Sequence, residues 1–359
     1  MTALTRSSIF RTAGMLMLWL IASLPTTLLA AQITLVVDSH PSYAAFAERL
    51  RGLSAAPGAR FTGVDVVSVA RFVSDSRVAT TLASRDDIDP GVASARTRSL
   101  PPSTRPPVSR RSGDSRVLVG LGAEAARALI QQRGAEPVLL ARLGFLEYQT
   151  LQAMPAWHQA RRPIGVLLED PAPQEMLTLI DTVLPGKRRI GVAASAQANV
   201  LIEKLADAVR TRNDLHPQRS QPFWTLATAV ATQRRELNAA LQRVLPVSDT
   251  LLILPDPVGL TSTAALSVLQ SAANANLPVF ASSEALVRAG ALAAVVPSEA
   301  PLAEQVYAMA WRLARATPGT SLVERPAQWT VRTNPYVAKR LGLVLLAEEE
   351  LAAALARTR

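Results

Sequence analysis

Residues 277–295 read LPVFASSEALVRAGALAAV, and this stretch shows how the chain is organised. An apolar segment ends on Ser282-Ser283, a short amphipathic turn follows, and a second apolar segment begins after Gly290-Ala291. Short continuous apolar runs bounded by turn residues are typical of strands that are buried on both faces of a parallel sheet. The stretch therefore predicts a strand–helix–strand unit in which hydroxyl groups follow the first strand.

The same alternation of apolar strands and amphipathic helices extends in both directions from this stretch. Strands separated by helices of this length indicate βαβ units, and about ten such strands are visible. The predicted fold is therefore α/β, with two doubly wound parallel-sheet lobes and a cleft between them. We expect a first lobe over residues 32–160 and a second lobe that begins at residue 161.

The N-terminus has the pattern of a secretory signal peptide over residues 1–31. Arg6 and Arg11 precede the apolar run GMLMLWLIASL, and small residues follow it. A membrane anchor is the alternative, but the run is shorter than the roughly 20 residues that a membrane span requires. The chain contains no cysteine, which excludes a lipid-modified cysteine, disulfides and thiolate chemistry. These features predict a periplasmic protein that is not a lipoprotein.

The formal net charge of +10 at first suggests a nucleic-acid or anionic-membrane partner. Five of the arginines, however, lie in the tract ARTRSLPPSTRPPVSRRS at residues 95–112, which contains no acid and cannot build a core. The remaining arginines are not interleaved with aromatic residues that could stack on bases. We therefore expect no nucleic-acid partner, and we interpret residues 74–114 as a mobile insertion in the first lobe.

Candidate binding residues follow from the position of each strand's carboxyl end. In open α/β sheets, ligands bind beyond these ends. For His40 and Asp256 an alternative stays open, because His40 could simply be exposed and Asp256 could tie its own loop. Glu169 and Asp170 resemble an acidic pair, but adjacent residues at a strand end point to opposite faces, which argues against paired acid–base work. The predicted ligand-binding residues are Ser39, His40, Gly122, Ala123, Ser195, Asn199, Asp256 and Ser282.

Gly120, Gly122 and Ala125 match a dinucleotide-binding fingerprint in outline. The match is incomplete, because another βα unit precedes it and the next acid, Glu136, comes too early. A tight strand-to-helix turn whose backbone N–H groups contact a ligand is the alternative. The three histidines lack metal-ligand spacing, and no nucleophile–histidine–acid arrangement is visible. We therefore expect no catalytic residue, no metal and no cofactor.

The second half of the chain resembles the substrate-binding proteins of ABC importers, in the family that includes tryptophan- and tyrosine-type binding components. The resemblance rests on a Pro-x-Asp motif at Asp256, Pro278–Phe280, the Ser282-Ser283 pair and the segment Gly290–Ala293. Asn199 and the C-terminal positions Asn334, Ala338, Leu341 and Gly342 also match. The matches in the first half of the chain, His40-Pro41 and the GLGAEAA turn, are looser.

This resemblance implies a periplasmic binding protein fold of type I, with two lobes, a three-stranded hinge and a closing cleft. It implies a second lobe over 161–289 and a return segment over 290–359 that crosses between the lobes and ends in a C-terminal helix. It implies a small polar or amino-acid-like ligand, an ABC permease in the inner membrane as partner, and a monomer. Residues 143–148, LGFLEY, replace the family's usual Ser-Asp-Pro, so the ligand is expected to differ. Two alternatives stay open: a non-transporting scaffold or sensor with the same fold, and an enzyme that binds an NAD-type cofactor through Gly120 and Gly122.

Overall fold

The computed structural model describes residues 31–38, 41–76, 116–215, 223–256 and 261–357. The predicted signal peptide, apart from Ala31, lies outside the described residues. So does most of the predicted insertion, of which only residues 74–76 are described. Within these ranges the chain forms twelve strands in two six-stranded sheets.

The first sheet is parallel at each of its strand pairings. The helices of this lobe are α1 (Pro41–Ala55), α2 (residues 69–76), α3 (Ala123–Gln131), α4 (Phe145–Gln152), α5 (Pro155–Gln159) and α11 (Glu299–Ala314). In spatial order the strands are β11 (Ser321–Glu324), β5 (Ile164–Leu168), β4 (Val138–Leu143), β3 (Arg116–Leu121), β1 (Ala31–Val37) and β2 (Phe61–Ser68).

The second sheet is parallel except at one edge, where β12 runs antiparallel to β10. Its helices are α6 (Pro173–Val183), α7 (Asn199–Asp214), α8 (Leu237–Val244), α9 (Ser262–Asn274), α10 (Glu284–Ala289), α12 (Pro335–Arg340) and α13 (Glu348–Ala356). The strands are, in order, β12 (Trp329–Thr333), β10 (Ala293–Pro297), β9 (Val279–Ala281), β8 (Thr250–Leu252), β6 (Arg189–Ser195) and β7 (Thr225–Ala231).

Apolar strands explain why both sheets are covered on both faces. In β3, the residues Val117 to Leu121 are almost fully buried, since helices pack on each side. Helix α11 shows the matching helical pattern: its buried residues Leu302, Val306, Met309 and Leu313 recur at three- and four-residue spacing and join the core of the first sheet. The two doubly wound lobes of the predicted α/β fold are therefore confirmed.

Three segments connect the lobes. The chain leaves the first sheet after β5 through residues 169–172, returns after β10 through Ser298, and crosses again after β11 through residues 325–328. Side chains tie these segments to each other. Arg325 of the third segment, for example, donates from Nη1 to the backbone carbonyl of Asp170 in the first segment at 2.5 Å. The expected three-stranded hinge therefore has a counterpart in these crossings.

The positions of the crossings differ from the boundaries expected from sequence. Strand β5 pairs with β4 in the first sheet, so the first lobe extends to Leu168 and not to residue 160. Gly290-Ala291 is not a crossing, because β10 stays in the second sheet until Pro297. The sequence changes character near residues 157–162, where α5 ends. The chain nevertheless forms one more strand of the first sheet, β5, before it passes to the second lobe. Strand β11 was not predicted, because its four residues alternate in exposure and lack an apolar run.

One predicted strand is also shorter than expected. The segment FTGVDVVSVARFV forms β2 only as far as Ser68, and residues 69–76 are helical. The Ser68 hydroxyl accepts from the Arg71 N–H at 3.4 Å, a contact typical of a helix N-cap. None of the helices within the described ranges is both long and apolar enough to cross a membrane.

Candidate functional site: the cleft between the lobes

A cleft of about 1020 Å³ lies between the two lobes, beside the crossing segments. The first lobe contributes the ends of β4 and β5 and the start of α4, and the second lobe contributes the end of β9 and the start of α10. This is the edge at which the carboxyl ends of parallel strands meet, as the general rule for α/β sheets requires. The charged lining residues are Arg49, Arg142, Glu147, Glu169, Asp170, Glu284, Glu299 and Arg332.

Arg142 is the most constrained of these residues. It lies near the carboxyl end of β4 with a φ of 60°, a left-handed conformation that is rare for a residue other than glycine. Its side chain is only 9% exposed, and its guanidinium lies 5.3 Å from the centroid of the Phe46 ring. The unusual backbone and the aromatic contact together fix the position of this guanidinium at the floor of the cleft.

Two glutamates hold the other side of the guanidinium. Arg142 donates from Nη1 to Glu169 Oε1 at 2.6 Å and from Nη2 to both Glu299 carboxylate oxygens at 2.5 Å. Burial lowers the pKa of Arg142, but the two carboxylates raise it by more, so the net shift is upward. Arg142 therefore stays charged and links the first crossing segment to the start of α11.

Asp170 lies next to this cluster, in the first crossing segment. Its Oδ2 accepts from the Phe145 N–H at 2.6 Å, and its backbone carbonyl accepts from Arg325 Nη1 at 2.5 Å. Burial raises the pKa of Asp170 to about 6, although the Phe145 N–H favours the charged form; Glu169 adds to the increase. A carboxyl group at the hinge thus titrates near neutral pH.

The second lobe contributes hydroxyl groups and one arginine. Ser282 lines the cleft, and Ser283 caps α10 by accepting from the Leu286 N–H at 3.3 Å. Arg332 of β12 also lines the cleft. Its Nη1 lies 2.9 Å from Glu348 Oε2, and its Nε lies 3.8 Å from Glu284 Oε2. The second lobe therefore presents a hydroxyl and a partly neutralised guanidinium to the cleft.

The cleft is acidic although the protein is basic. Among the described residues, five carboxylates and three guanidinium groups line it, which gives these groups a formal charge of −2. The whole chain carries +10. The sign of the charge in the cleft is therefore opposite to that of the whole chain.

Of the residues predicted to bind ligand, Ser282 lies in the cleft. Ser195 and Asp256 do not line it: both are buried, and Asp256 accepts from the Ser195 backbone N–H at 2.6 Å and from its hydroxyl at 2.7 Å. This pair joins the ends of β6 and β8, so both side chains serve the packing of the second sheet. Asp256 thus hydrogen-bonds to the end of the neighbouring strand β6. The sequence alone also allowed a hydrogen bond within its own loop.

The other predicted residues are dispersed. Ala123 lines a second cavity of about 550 Å³ at the mouth of the cleft, together with Gln149 and Gln197. Asn199 is exposed at the start of α7 and does not line the main cleft. Ser39 and His40 lie outside the described residues.

Packing accounts for the glycines of the dinucleotide-like segment. A Cβ on Gly120 would lie 2.8 Å from Leu129 of α3, so this glycine allows the helix to approach the strand. Gly122 has a φ of 86°, and a Cβ there would lie 2.7 Å from the Tyr43 hydroxyl. Both positions therefore require glycine for reasons that involve no nucleotide.

Sequence reasoning did not select Arg142 or Glu299. A lone arginine inside the apolar run VLLARL was a usable signal, because an arginine is almost never fully buried without a partner. Glu299 gave no such signal, since acids are common in the first turn of a helix. No group of side chains with the composition of a metal site occurs among the described residues.

Comparison with known proteins agrees with this architecture. A family model described as ABC transporter substrate binding protein matches residues 110–357. A ligand-free, open substrate binding protein with adhesive properties from Clostridium difficile has a TM-score of 0.59 and 15% identity, over 89% of this chain and 97% of that one. No curated protein matches the sequence.

Two further solved structures have the same fold. An ABC domain in complex with L-Trp from Streptococcus pneumonia has a TM-score of 0.52 and 16% identity, over 90% of this chain and 98% of that one. A conserved domain protein from Vibrio cholerae has a TM-score of 0.53 and 21% identity, over 91% and 98%. At these identities the likeness concerns the fold, which is that of the type I periplasmic binding proteins. Because the family model covers more than half of the sequence, the chain belongs to the family of ABC transporter substrate binding proteins.

Proposed function

We propose that this protein is the periplasmic solute-binding component of an ABC-type importer and that it binds a small polar or amino-acid-like ligand between its lobes. The observation that carries the proposal is the cleft of about 1020 Å³, which is lined by residues of both lobes. The first two crossing segments line it directly, and Thr330, just after the third crossing, lines it as well. A site divided between two lobes becomes enclosed when the lobes rotate about such crossings. The proposal includes export by the N-terminal signal peptide, a monomeric state and docking of the closed form on an inner-membrane permease.

Closure would bring two kinds of surface onto the ligand. Ser282 and the carboxylates of the first lobe supply hydrogen-bonding groups at the main cleft. A small cavity of about 40 Å³ adjoins it, lined mainly by apolar residues, and shares Asp170, Pro255 and Ser282 with it. Pockets for small molecules commonly combine a few polar groups with such apolar walls.

One contact already spans the gap between the lobes. Phe145, the first residue of α4, lies on the first lobe, and Lys204 of α7 lies on the second. The Lys204 ammonium is 4.5 Å from the centroid of the Phe145 ring, within the range of a cation–π contact. This contact supports the view that the two cleft walls approach each other at α4 and α7.

A thermal-shift screen of the chain from Ala31 onward tests the proposal. The screen covers amino acids, short peptides, sugars, nucleotides and polyamines. A ligand present at one hundred times its dissociation constant should stabilise the folded protein by about 2.7 kcal/mol. Ser282→Ala should weaken the response to a hit, whereas Ser267→Ala, on α9 and away from the cleft, should not.

Closure itself is measurable because the chain has no cysteine. Spin labels at Gln149→Cys and Gln197→Cys would lie on opposite lobes at the cleft mouth. The proposal predicts a shorter distance between the labels when a hit is bound. A folded protein that no compound class stabilises, and whose label distance never changes, would contradict the proposed function and favour a scaffold or sensor.

A further inference from the structure

We infer that the ligand of this cleft carries a cationic nitrogen, which is received by carboxylates that Arg142 holds in position. The inference rests on the proposed function for the location of the site. It goes beyond that function by assigning the charge of the ligand and by naming Arg142 as a positioning residue. It is carried by the geometry of the Arg142–Glu169–Glu299 cluster and by the charge of the surrounding walls.

The cluster exposes its acids and buries its base. Side-chain exposure is 34% for Glu169 and 49% for Glu299, against 9% for Arg142. One guanidinium between two carboxylates leaves a net charge of −1. Because each carboxylate has about four lone-pair sites and Arg142 occupies only some of them, both acids keep acceptor capacity for a ligand.

The surroundings add to this negative charge. Asp170 follows Glu169 directly, and Glu147 also lines the cleft, where its Oε2 accepts from the Gly144 N–H at 2.9 Å. The opposing arginine, Arg332, is engaged by Glu348 and lies near Glu284. Arg49 of α1 also lines the cleft, is exposed and has no ion pair among the described residues. A ligand anion would thus find one uncommitted arginine among five carboxylates, whereas a ligand cation would find several acceptors on the wall formed by the first lobe.

The Arg142 backbone indicates that this arrangement is held in place by its surroundings. A left-handed φ at a residue with a long side chain persists only where the surrounding structure enforces it, and such residues cluster at binding sites. The Arg142 Nε is buried and has no hydrogen-bond partner among the described residues. The conformation that brings Nη1 and Nη2 to the two glutamates thus leaves the Nε–H without an acceptor in the described part of the chain. This arrangement fits a residue that positions the glutamates.

Isothermal titration calorimetry with matched probes tests the charge of the ligand. The pairs are 1,5-diaminopentane with pentane-1,5-diol and n-butylguanidine with n-butylurea, in each of which the neutral partner has no cationic nitrogen; glutarate serves as the anion. Since a charge-assisted hydrogen bond is roughly twice as strong as a neutral one, the best cation should bind at least about tenfold more tightly than its neutral partner. Its affinity should fall as salt is raised from 50 to 300 mM, roughly as expected for screening of partly exposed charges.

Two outcomes separate this inference from the proposed function. If a neutral or anionic compound binds as tightly as the best cation and closes the labelled lobes, the cationic ligand is overturned and the binding protein stands. If neither these probes nor the broad screen gives binding or closure, the proposed function fails and this inference fails with it.

Variants test the roles of the glutamates and of Arg142. Glu299→Gln should weaken binding of the best cation about tenfold, whereas Glu304→Gln, exposed on the same helix and outside the cleft, should leave it unchanged. Arg142→Met makes the cluster more negative but should still weaken the same binding, because the two acids lose the cation that fixes their positions. Arg142→Lys should restore part of the binding because a cation again separates the acids. Equal affinities of Glu299→Gln and Glu304→Gln, each with an unchanged melting temperature, would overturn the inference.

Discussion

Two polar clusters at strand ends, one in each lobe, differ in a way that defines the site. In the second lobe, Asp256 and Ser195 bond to each other and are 1% and 5% exposed. In the first lobe, Arg142 binds Glu169 and Glu299, whose carboxylates stay partly exposed in the cleft. Both clusters occupy positions where α/β sheets bind ligands. Only the Arg142 cluster of the first lobe keeps polar atoms that a ligand in the cleft could reach.

The difference shows that a strand-end acid is functional only if its neighbours leave it accessible. Asp256 has a backbone N–H and a hydroxyl within 2.7 Å, so both of its oxygens are used within the protein. Glu169 and Glu299 share a single cation, so they keep negative charge on the cleft side. Substitutions in or beside the two clusters should therefore differ in effect, from a large loss of stability at Asp256 to a small one at Ser282.

Asp256→Ala should destabilise the protein most, by about 3 kcal/mol. The change leaves the buried Ser195 N–H and hydroxyl without their acceptor, and each buried unsatisfied group costs about 1–3 kcal/mol. Urea unfolding followed by circular dichroism measures the loss. A decrease below about 0.5 kcal/mol would show that this pair is not the structural tie described above.

Arg142→Met should cost about 2 kcal/mol of unfolding free energy, less than Asp256→Ala. Removal of the guanidinium leaves Glu169 and Glu299 to repel each other, but their partial exposure lets water and salt screen the repulsion. The same urea experiment at 50 and 500 mM salt should show a smaller loss at high salt. A loss that does not depend on salt would instead indicate that Arg142 acts by packing on Phe46.

Asp170 should make stability depend on pH in the opposite sense to an ion-paired aspartate. Its pKa is about 6 in the folded protein against an ordinary 3.8, so the folded state binds the proton more tightly than the unfolded state. Its favourable contribution is present below about pH 4 and is lost as pH rises to about 6 and above. Relative to Asp170→Asn, the wild type should lose about 2 kcal/mol between pH 4 and 7.

The matching measurement is urea unfolding of both proteins at half-unit pH intervals. Asparagine keeps a side-chain oxygen for the Phe145 N–H, so the comparison isolates ionisation from the loss of the hydrogen bond. If the unfolding free energies of the wild type and of Asp170→Asn change in parallel with pH, the raised pKa of Asp170 is contradicted.

Ser282→Ala should change stability least, by less than about 0.5 kcal/mol, because the residue is partly exposed in the cleft and supports no buried group. Its effect should appear instead in ligand affinity. Thermal melts with and without a hit from the screen separate the two effects. A large loss of stability without ligand would place Ser282 with the structural cluster of the second lobe.

The sequence predicted the fold well because burial on both faces leaves long apolar strands that alternate visibly with helices. Strand β11 escaped because it has four residues, and the lobe boundary was one strand early because composition does not report strand order. Ser282, which the strand-end rule selected, lines the cleft, and its role in ligand binding stays a prediction. Asp256 and Ser195, selected by the same rule, do not line the cleft because they hydrogen-bond to each other, which requires β6 and β8 to be neighbours.

The acidic cleft was beyond sequence reasoning for a related reason. Its carboxylates come from positions as far apart as Glu147 and Glu299, and only the crossings bring them together. The net charge of +10 pointed in the opposite direction. The one local feature that pointed to this cluster was Arg142 within the apolar strand VLLARL. It predicts a buried cation, but it does not show which acids lie beside that cation.

The most direct test of the account is the distance between spin labels at Gln149→Cys and Gln197→Cys, measured by double electron–electron resonance. The samples contain no ligand, the tightest-binding cation of the matched panel, or its neutral analogue at the same concentration. At a concentration near the dissociation constant of the cation, the account predicts a shorter distance with the cation, and a much smaller shortened fraction with the neutral analogue or when Glu299→Gln is added to the labelled protein. The same distance in all three samples, or equal shortening by the neutral analogue, would contradict it.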